Sequence, residues 1–309
     1  MSVDLKIGVT SWKTRAGFGS EDIWRQAEQA ESLGVDSFWL PENHFGDDRS
    51  MPSPLLLLAA VAARTTRIKL GTVSYLLPIR QPLLAAEEVA VLDQLSGGRL
   101  ILGVGRGIQD VMFRAFDVPN AEKRRIFAHH LGVIRNAWAG LPVAHDDEGA
   151  AITLAPLPLQ TNGPPVWVAA FGPLALKQVG GLGLPYLASP VESLATLRAN
   201  YATYREAVAD SGQELPSAVP IMRTVYVSSN ETERLALKNR LTELAPPIRG
   251  RAVAPIDDWA IVGDRHFVTD KLQAYVAELG MTHLIASGRL PGVSGDDVLR
   301  SHERLLICI

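Results

Sequence analysis

The 309-residue chain has little of what usually places a protein quickly. It has one cysteine, Cys308, so no internal disulfide can form and a reducing compartment is expected. Its longest apolar run, Pro54 to Ala63, is far too short to span a bilayer. The opening MSVDLKIGVTSW carries neither a basic leader nor a long apolar core, so no signal peptide is read there. The formal net charge is -3, with no block of one sign, and nothing asks for nucleic acid. These absences point to a cytoplasmic chain with no nucleic-acid and no membrane partner. There is no HExxH, no cysteine cluster and no G-x-S-x-G elbow. The histidines are scattered apart from His129-His130, which point to different sides of a helix, so no metal is expected. No linker, low-complexity tract or short repeat breaks the chain, and a single domain over 1–309 is expected.

What is present is alternation. Strand-length apolar runs occur at Leu5–Thr10, Ser37–Leu40, Arg67–Leu76, Arg99–Gly105, Pro165–Phe171, Leu184–Ala188, Ala218–Val227 and Thr282–Ser287. Helical periods lie between them, and Gln81–Leu95 is the clearest. Pro82 suits its first turn, Leu84, Ala85, Val89, Leu92 and Leu95 share a face, and Gly97-Gly98 end it. Eight such strands favour an α/β fold of the (β/α)8 TIM-barrel type, with an open doubly wound sheet as the rival. Insertions are expected after strands 4 and 7. Pro142–Gln160 reads as an excursion from the repeat, and Ala245–Asp264, rich in proline, as a mobile loop.

In such a barrel the chemistry sits where strands run out into loops. Four stretches qualify. Glu42-Asn43-His44-Phe45 joins a carboxylate, an amide and an imidazole, suited to proton transfer near neutral pH or to an ordinary surface loop with a satisfied histidine. Gly71–Pro78 offers small and hydroxyl side chains that a flat ring could approach, or simply a strand end. Gly103-Val104-Gly105-Arg106-Gly107 lacks the dinucleotide G-x-G-x-x-G spacing. Its arginine suits a bidentate phosphate contact or a structural ion pair. Ala169-Ala170-Phe171-Gly172-Pro173-Leu174-Ala175 leads into a helix whose first N–H groups would favour an anion, or is a plain βα loop.

Taken together these stretches resemble the bacterial luciferase-like monooxygenase family. The densest match runs from Arg67 to Phe116, in the order LGT, P-x-R-x-P, AEE-x-x-x-LDQLSGGR and LGVGRG. Weaker matches include ENHF, PVWVAAFGPLAL and VGDRHFVTDKLQAYVAELGMTHLIASGRLPG. The resemblance implies a barrel holding a phosphate-bearing flavin at its strand ends. Arg106 matches the arginine that holds the FMN phosphate, and Val73-Ser74 the site of a non-proline cis peptide beneath the ring. Ile108 and Gln109 match residues beside the cofactor, and Ala169 a ring contact. Phe171, Gly172 and Ala175 match the second half of the phosphate cradle.

Two departures stand out. Luciferase-type members often read Glu-His-His-Phe where this chain has Glu42-Asn43-His44-Phe45, so Asn43 replaces a catalytic histidine. The Phe171–Ala175 stretch carries neither the acidic residue nor the hydroxyls of those members, and looks more like the deazaflavin, coenzyme F420, branch. The Gly105-Arg106-Gly107 motif pulls the other way, toward FMN, and the leading reading that the resemblance implies is a two-component monooxygenase that uses reduced FMN and O2 on a small organic substrate, with a separate flavin reductase. His44, Glu42 and Asn43 are its expected catalytic group. The rivals are F420-dependent hydride transfer and a non-catalytic flavin-binding or regulatory paralogue. A homodimer is implied by the family habit.

Overall fold

The computed structural model describes residues 5–12, 20–46, 50–244 and 254–308. Its strands are β1 (Lys6–Thr10), β2 (Ser37–Leu40), β3 (Lys69–Thr72), β4 (Tyr75–Leu76), β5 (Leu100–Gly105), β6 (Ala144–His145), β7 (Ala151–Ile152), β8 (Val166–Ala169), β9 (Tyr186–Leu187), β10 (Pro220–Val227), β11 (Ala260–Gly263) and β12 (His283–Ser287). Its helices are α1 (Ser20–Leu33), α2 (Pro54–Ala62), α3 (Pro82–Ser96), α4 (Asp110–Ala115), α5 (Lys123–Trp138), α6 (Pro173–Gly181), α7 (Leu194–Asp210), α8 (Glu231–Leu244), α9 (Ile256–Trp259), α10 (Arg265–Leu279) and α11 (Gly295–Leu306). They form two compact units: one comprises β1, residues 29–38 and residues from Ala170 onward, the other residues 39–169 with the start of α1.

In the first unit β1 pairs in parallel with β12, and β12 with β10. Ala188, just past β9, bridges to Ile221 of β10, again in parallel. Farther along, β10 pairs with β11, Val225 opposite Ile261. This corrects the expected loop at Ala245–Asp264: its described part holds α9 and the strand β11. Trp259, Ala260, Ile261 and Val262 are all buried. The apolar run is short and follows prolines, so only its pairing with β10 reveals it as a strand. Residues 245–253 of that expected loop lie outside the described residues.

In the second unit β5 lies between β3 and β8, all parallel, with Leu70 opposite Leu100 and Leu102 opposite Val166. The third expected strand, read as unbroken from Arg67 to Leu76, is instead two strands. β4 pairs with β5 at Tyr75–Val104, and the break falls at Val73-Ser74, whose peptide is cis. The connection from β5 to β8 carries α4 and α5, and the expected excursion Pro142–Gln160 holds the antiparallel β6–β7 hairpin.

The core of this unit shows how small residues are spent. Trp39 and Trp167 stack with ring centroids 5.1 Å apart, both buried. A Cβ on Gly71 would lie 2.0 Å from the Trp39 ring, so only glycine lets β3 pass. At the N-terminal end of β5, α3 stops at Gly97, whose φ of 66° is the left-handed cap expected of glycine. Arg99 then binds backbone and hydroxyl oxygens. Its Nε donates to Ser96 O, its Nη1 to Thr65 Oγ1 and Ile68 O, and its Nη2 to Ala62 O and Thr65 O. Buried Asp93 accepts from Gln160 N at 2.8 Å and Gln160 Nε2 at 2.7 Å.

Candidate functional site

The loop after β2 delivers Glu42 and His44 together. His44 Nε2 lies 2.6 Å from Glu42 Oε1, and the Glu42 side chain is fully buried. Glu42 also accepts the Leu76 N–H at 2.9 Å through Oε2 and an N–H of Arg80 through Oε1. The imidazole meets the Phe116 ring edge-on at 5.0 Å, and Phe116 stacks on Phe45 at 5.8 Å. Phe45, at φ 59°, turns its ring out from the loop, and both phenylalanines are well exposed. A polar pair is thus sealed beneath an open aromatic surface, an arrangement that can hold a proton beside an apolar ligand.

Asn43 is used differently. Its N–H donates to Met51 O and its Oδ1 accepts from Met51 N, both at 3.1 Å. The side chain ties the two ends of the loop, which accounts for an amide at this position without any proton chemistry.

At the end of β5 the Arg106 guanidinium is buried, with 8% of the residue exposed. Nη2 donates to Ala169 O at 2.9 Å, at the end of β8, and the group lies 5.1 Å from the Phe127 ring centre. A Cβ on Gly105 would lie 2.2 Å from Ser74 Oγ, so β5 and the cis Val73-Ser74 segment touch through a glycine. Ile108 and Gln109 follow on the exposed surface, Gln109 as N-cap of α4. Buried cation, close-set small residues and a flat peptide fit the phosphate and ring of a flavin or deazaflavin.

In the first unit Gly172 caps α6 at φ 76° and has no side chain to occupy the first-turn N–H groups. Ala175 is buried in that turn, its N–H bonded to Gly172 O at 3.1 Å. Phe171 and Gly172 line a cleft of about 650 Å³ whose other wall is α7, with Thr196, Asn200 and Thr203. Glu192 stands at its edge, accepting from Asn200 Nδ2 at 2.8 Å and bonded to the Tyr186 hydroxyl at 3.3 Å. Burial, then the neighbouring Glu192 charge, pushes the Tyr186 phenol up, so it stays a neutral donor.

Sequence reasoning did not single out Arg80, Phe116 or the α7 wall. Arg80 had one visible signal, the P-x-R-x-P spacing Pro78-Ile79-Arg80-Gln81-Pro82. Phe116 and α7 had none, because their roles arise only from packing. Among the described residues no cluster of three or more His, Cys, Asp or Glu side chains is placed to hold a metal. No described helix is long and apolar enough to cross a membrane.

A family model described as luciferase-like monooxygenase matches residues 2–255, so the chain belongs to that family. It is 31% identical over 227 residues to the 4-hydroxyprotoasukamycin monooxygenase of Streptomyces nodosus subsp. asukaensis, covering 69% of this chain and 61% of the relative. The chain spans between 44% and 61% of the first curated relatives it matches. Among solved structures, one likeness is to the oxygenating constituent of 3,6-diketocamphane monooxygenase from Pseudomonas putida in complex with FMN. The TM-score is 0.80 at 20% identity, covering 97% of each chain. Another is to the coenzyme F420-dependent tetrahydromethanopterin reductase of Methanopyrus kandleri, with a TM-score of 0.72 at 18% identity, covering 100% of this chain and 98% of that one. These likenesses establish the fold as the (β/α)8 barrel expected from the alternation.

Proposed function

We propose that this chain is the oxygenating component of a two-component monooxygenase that takes reduced FMN and O2 to oxidise a small organic substrate. The observation that carries the reading is the buried Arg106 guanidinium at the end of β5, beside Ala169 and near the Gly105–Ser74 contact. A guanidinium held by a carbonyl and an aromatic ring is pre-oriented, which suits a phosphate. Reduced flavin, when bound, supplies the electrons that activate O2.

The chain's own residues do the rest. Arg106 anchors the phosphate, and Gly105 with Val73-Ser74 leaves room for a flat ring. His44, with Nε2 turned to Glu42, accepts or returns a proton at Nδ1. Phe45 and Phe116 offer an apolar surface to the substrate and keep water from the imidazole. A separate reductase supplies the reduced cofactor. The face expected of α3 is split: Ala85, Val89 and Leu92 are buried, whereas Leu84 and Leu95 are exposed with Val91, and this apolar surface, with exposed Leu56 on α2, supports homodimerisation.

One observation favours a second reading, F420-dependent hydride transfer. The cap of α6 is Gly172 followed by Pro173, with no hydroxyl to join the phosphate. The two are separated by anaerobic titration with oxidised FMN, reduced FMN and F420 side by side. Tightest binding of reduced FMN supports the monooxygenase; F420 binding without FMN binding replaces it with the hydride-transfer reading.

A further inference from the structure

We propose that Arg80 is a positioning residue for His44, acting through Glu42. The inference rests on the His44 role above and extends it to a side chain outside the expected catalytic group.

Arg80 is itself well fixed. It closes the 3₁₀ turn Leu77–Ile79, its N–H bonding Leu77 O at 3.1 Å, and it sits between Pro78 and Pro82. Its guanidinium lies 4.6 Å from the Tyr75 ring centre. Tyr75 is buried, and burial pushes its phenol up, so that ring is a neutral platform. From there Nη2 donates to Glu42 Oε1.

The same oxygen receives His44 Nε2, while Oε2 receives the Leu76 N–H. An ionised carboxylate can only accept, so in the neutral imidazole Nε2 carries the proton toward Glu42 and Nδ1 is left as the acceptor. Leu76 belongs to β4, just beyond the cis Val73-Ser74 peptide. Glu42 thus registers His44 against the strand that follows that peptide. The carboxylate has no exposed surface, and Arg80 is the arginine set against it among the described residues. A buried carboxylate that loses its counter-charge leaves its position or gains water. The His44 proton then loses a fixed acceptor. A planar guanidinium stacked on Tyr75 does this better than a flexible ammonium.

The test reads the proton directly, on ligand-free, full-length, 15N-labelled protein. Low-field imidazole N–H resonances are recorded and assigned through His44→Gln, with folding checked by circular dichroism. Wild type is expected to show a His44 Nε2–H protected from exchange. Arg80→Met is expected to raise its exchange rate at least tenfold, and Arg80→Lys to restore part of the protection. A folded Arg80→Met protein with an unchanged His44 signal overturns the proposal. If Arg80→Met does not fold, Arg80→Gln, which keeps a donor without the charge, is read the same way. A folded wild type with no protected His44 proton overturns the Glu42–His44 pairing itself, and the role of Arg80 with it.

Discussion

Arg99 precedes β5 and Arg106 follows it, so one strand carries a guanidinium at each end. Arg99 is bound to carbonyls of α2, the α2–β3 connection and α3, and to a threonine hydroxyl. Most of its partners are backbone carbonyls of helix ends and turns, where intrahelical donors run out. Arg106 is pinned to Ala169 O and set against the Phe127 ring. With the phosphate role proposed for Arg106, the contrast would follow the rule for barrels that the N-terminal face of the strands serves stability and the C-terminal face serves chemistry. It also shows that the most recognisable motif in the chain, LDQLSGGR, is a structural clamp, with Asp93 holding Gln160 and Arg99 holding the helix ends.

The largest stability effect is expected at the clamp. Arg99→Met should cost about 3–5 kcal/mol, since it strands several buried acceptors at once. Chemical denaturation measures it, and a loss under about 1 kcal/mol would break the contrast between the two ends.

A second large effect separates general stability from the site through pH. His302 on α11 is buried, neither ring nitrogen has a hydrogen-bond partner among the described residues, and Trp12 meets it edge-on at 5.2 Å. Burial alone lowers its pKa from 6.5 to about 4. The unfolded chain therefore binds the proton more readily than the folded one. Stability from this group is complete above about pH 6.5 and falls as pH drops toward 4, by about 3 kcal/mol. His302→Phe should flatten that part of the stability–pH curve; an unaltered curve would remove His302 as its cause.

Gly71→Ala should cost about 1–3 kcal/mol by forcing a methyl against Trp39. Thermal denaturation checks it, and a neutral result would mean that β3 can shift. The smallest effect is Asn43→Ala, about 1 kcal/mol from the lost bond to Met51 N. If His44-dependent turnover persists in this variant, Asn43 is confirmed as a loop tie; a loss of turnover far beyond the stability change would return it to the chemistry.

The barrel was legible because its strands are continuous apolar runs and its helices have periodic faces. α3 could be bounded from Pro82 and Gly97 alone. Arg106 stood out because an arginine between glycines at a barrel-strand end suits an anion or a structural pair, and the structure sets it against Ala169 O and the Phe127 ring. Other features depend on distant partners. β11 is a four-residue run that becomes a strand only beside β10. Arg80 meets Glu42 from 38 residues away, and no local pattern encodes that meeting. Asn43 reads in the sequence as the replacement of a histidine, and its bond from Met51 N becomes visible only with the loop folded.

The most direct measurement of the contrast between the ends of β5 is the affinity for reduced FMN, per folded molecule, of Arg106→Met beside Arg99→Met. The account predicts a loss of about 100-fold for Arg106→Met, or about 3 kcal/mol of charge-assisted hydrogen bonding. It predicts no change for the folded fraction of Arg99→Met. Equal affinities in the two variants and wild type would contradict it.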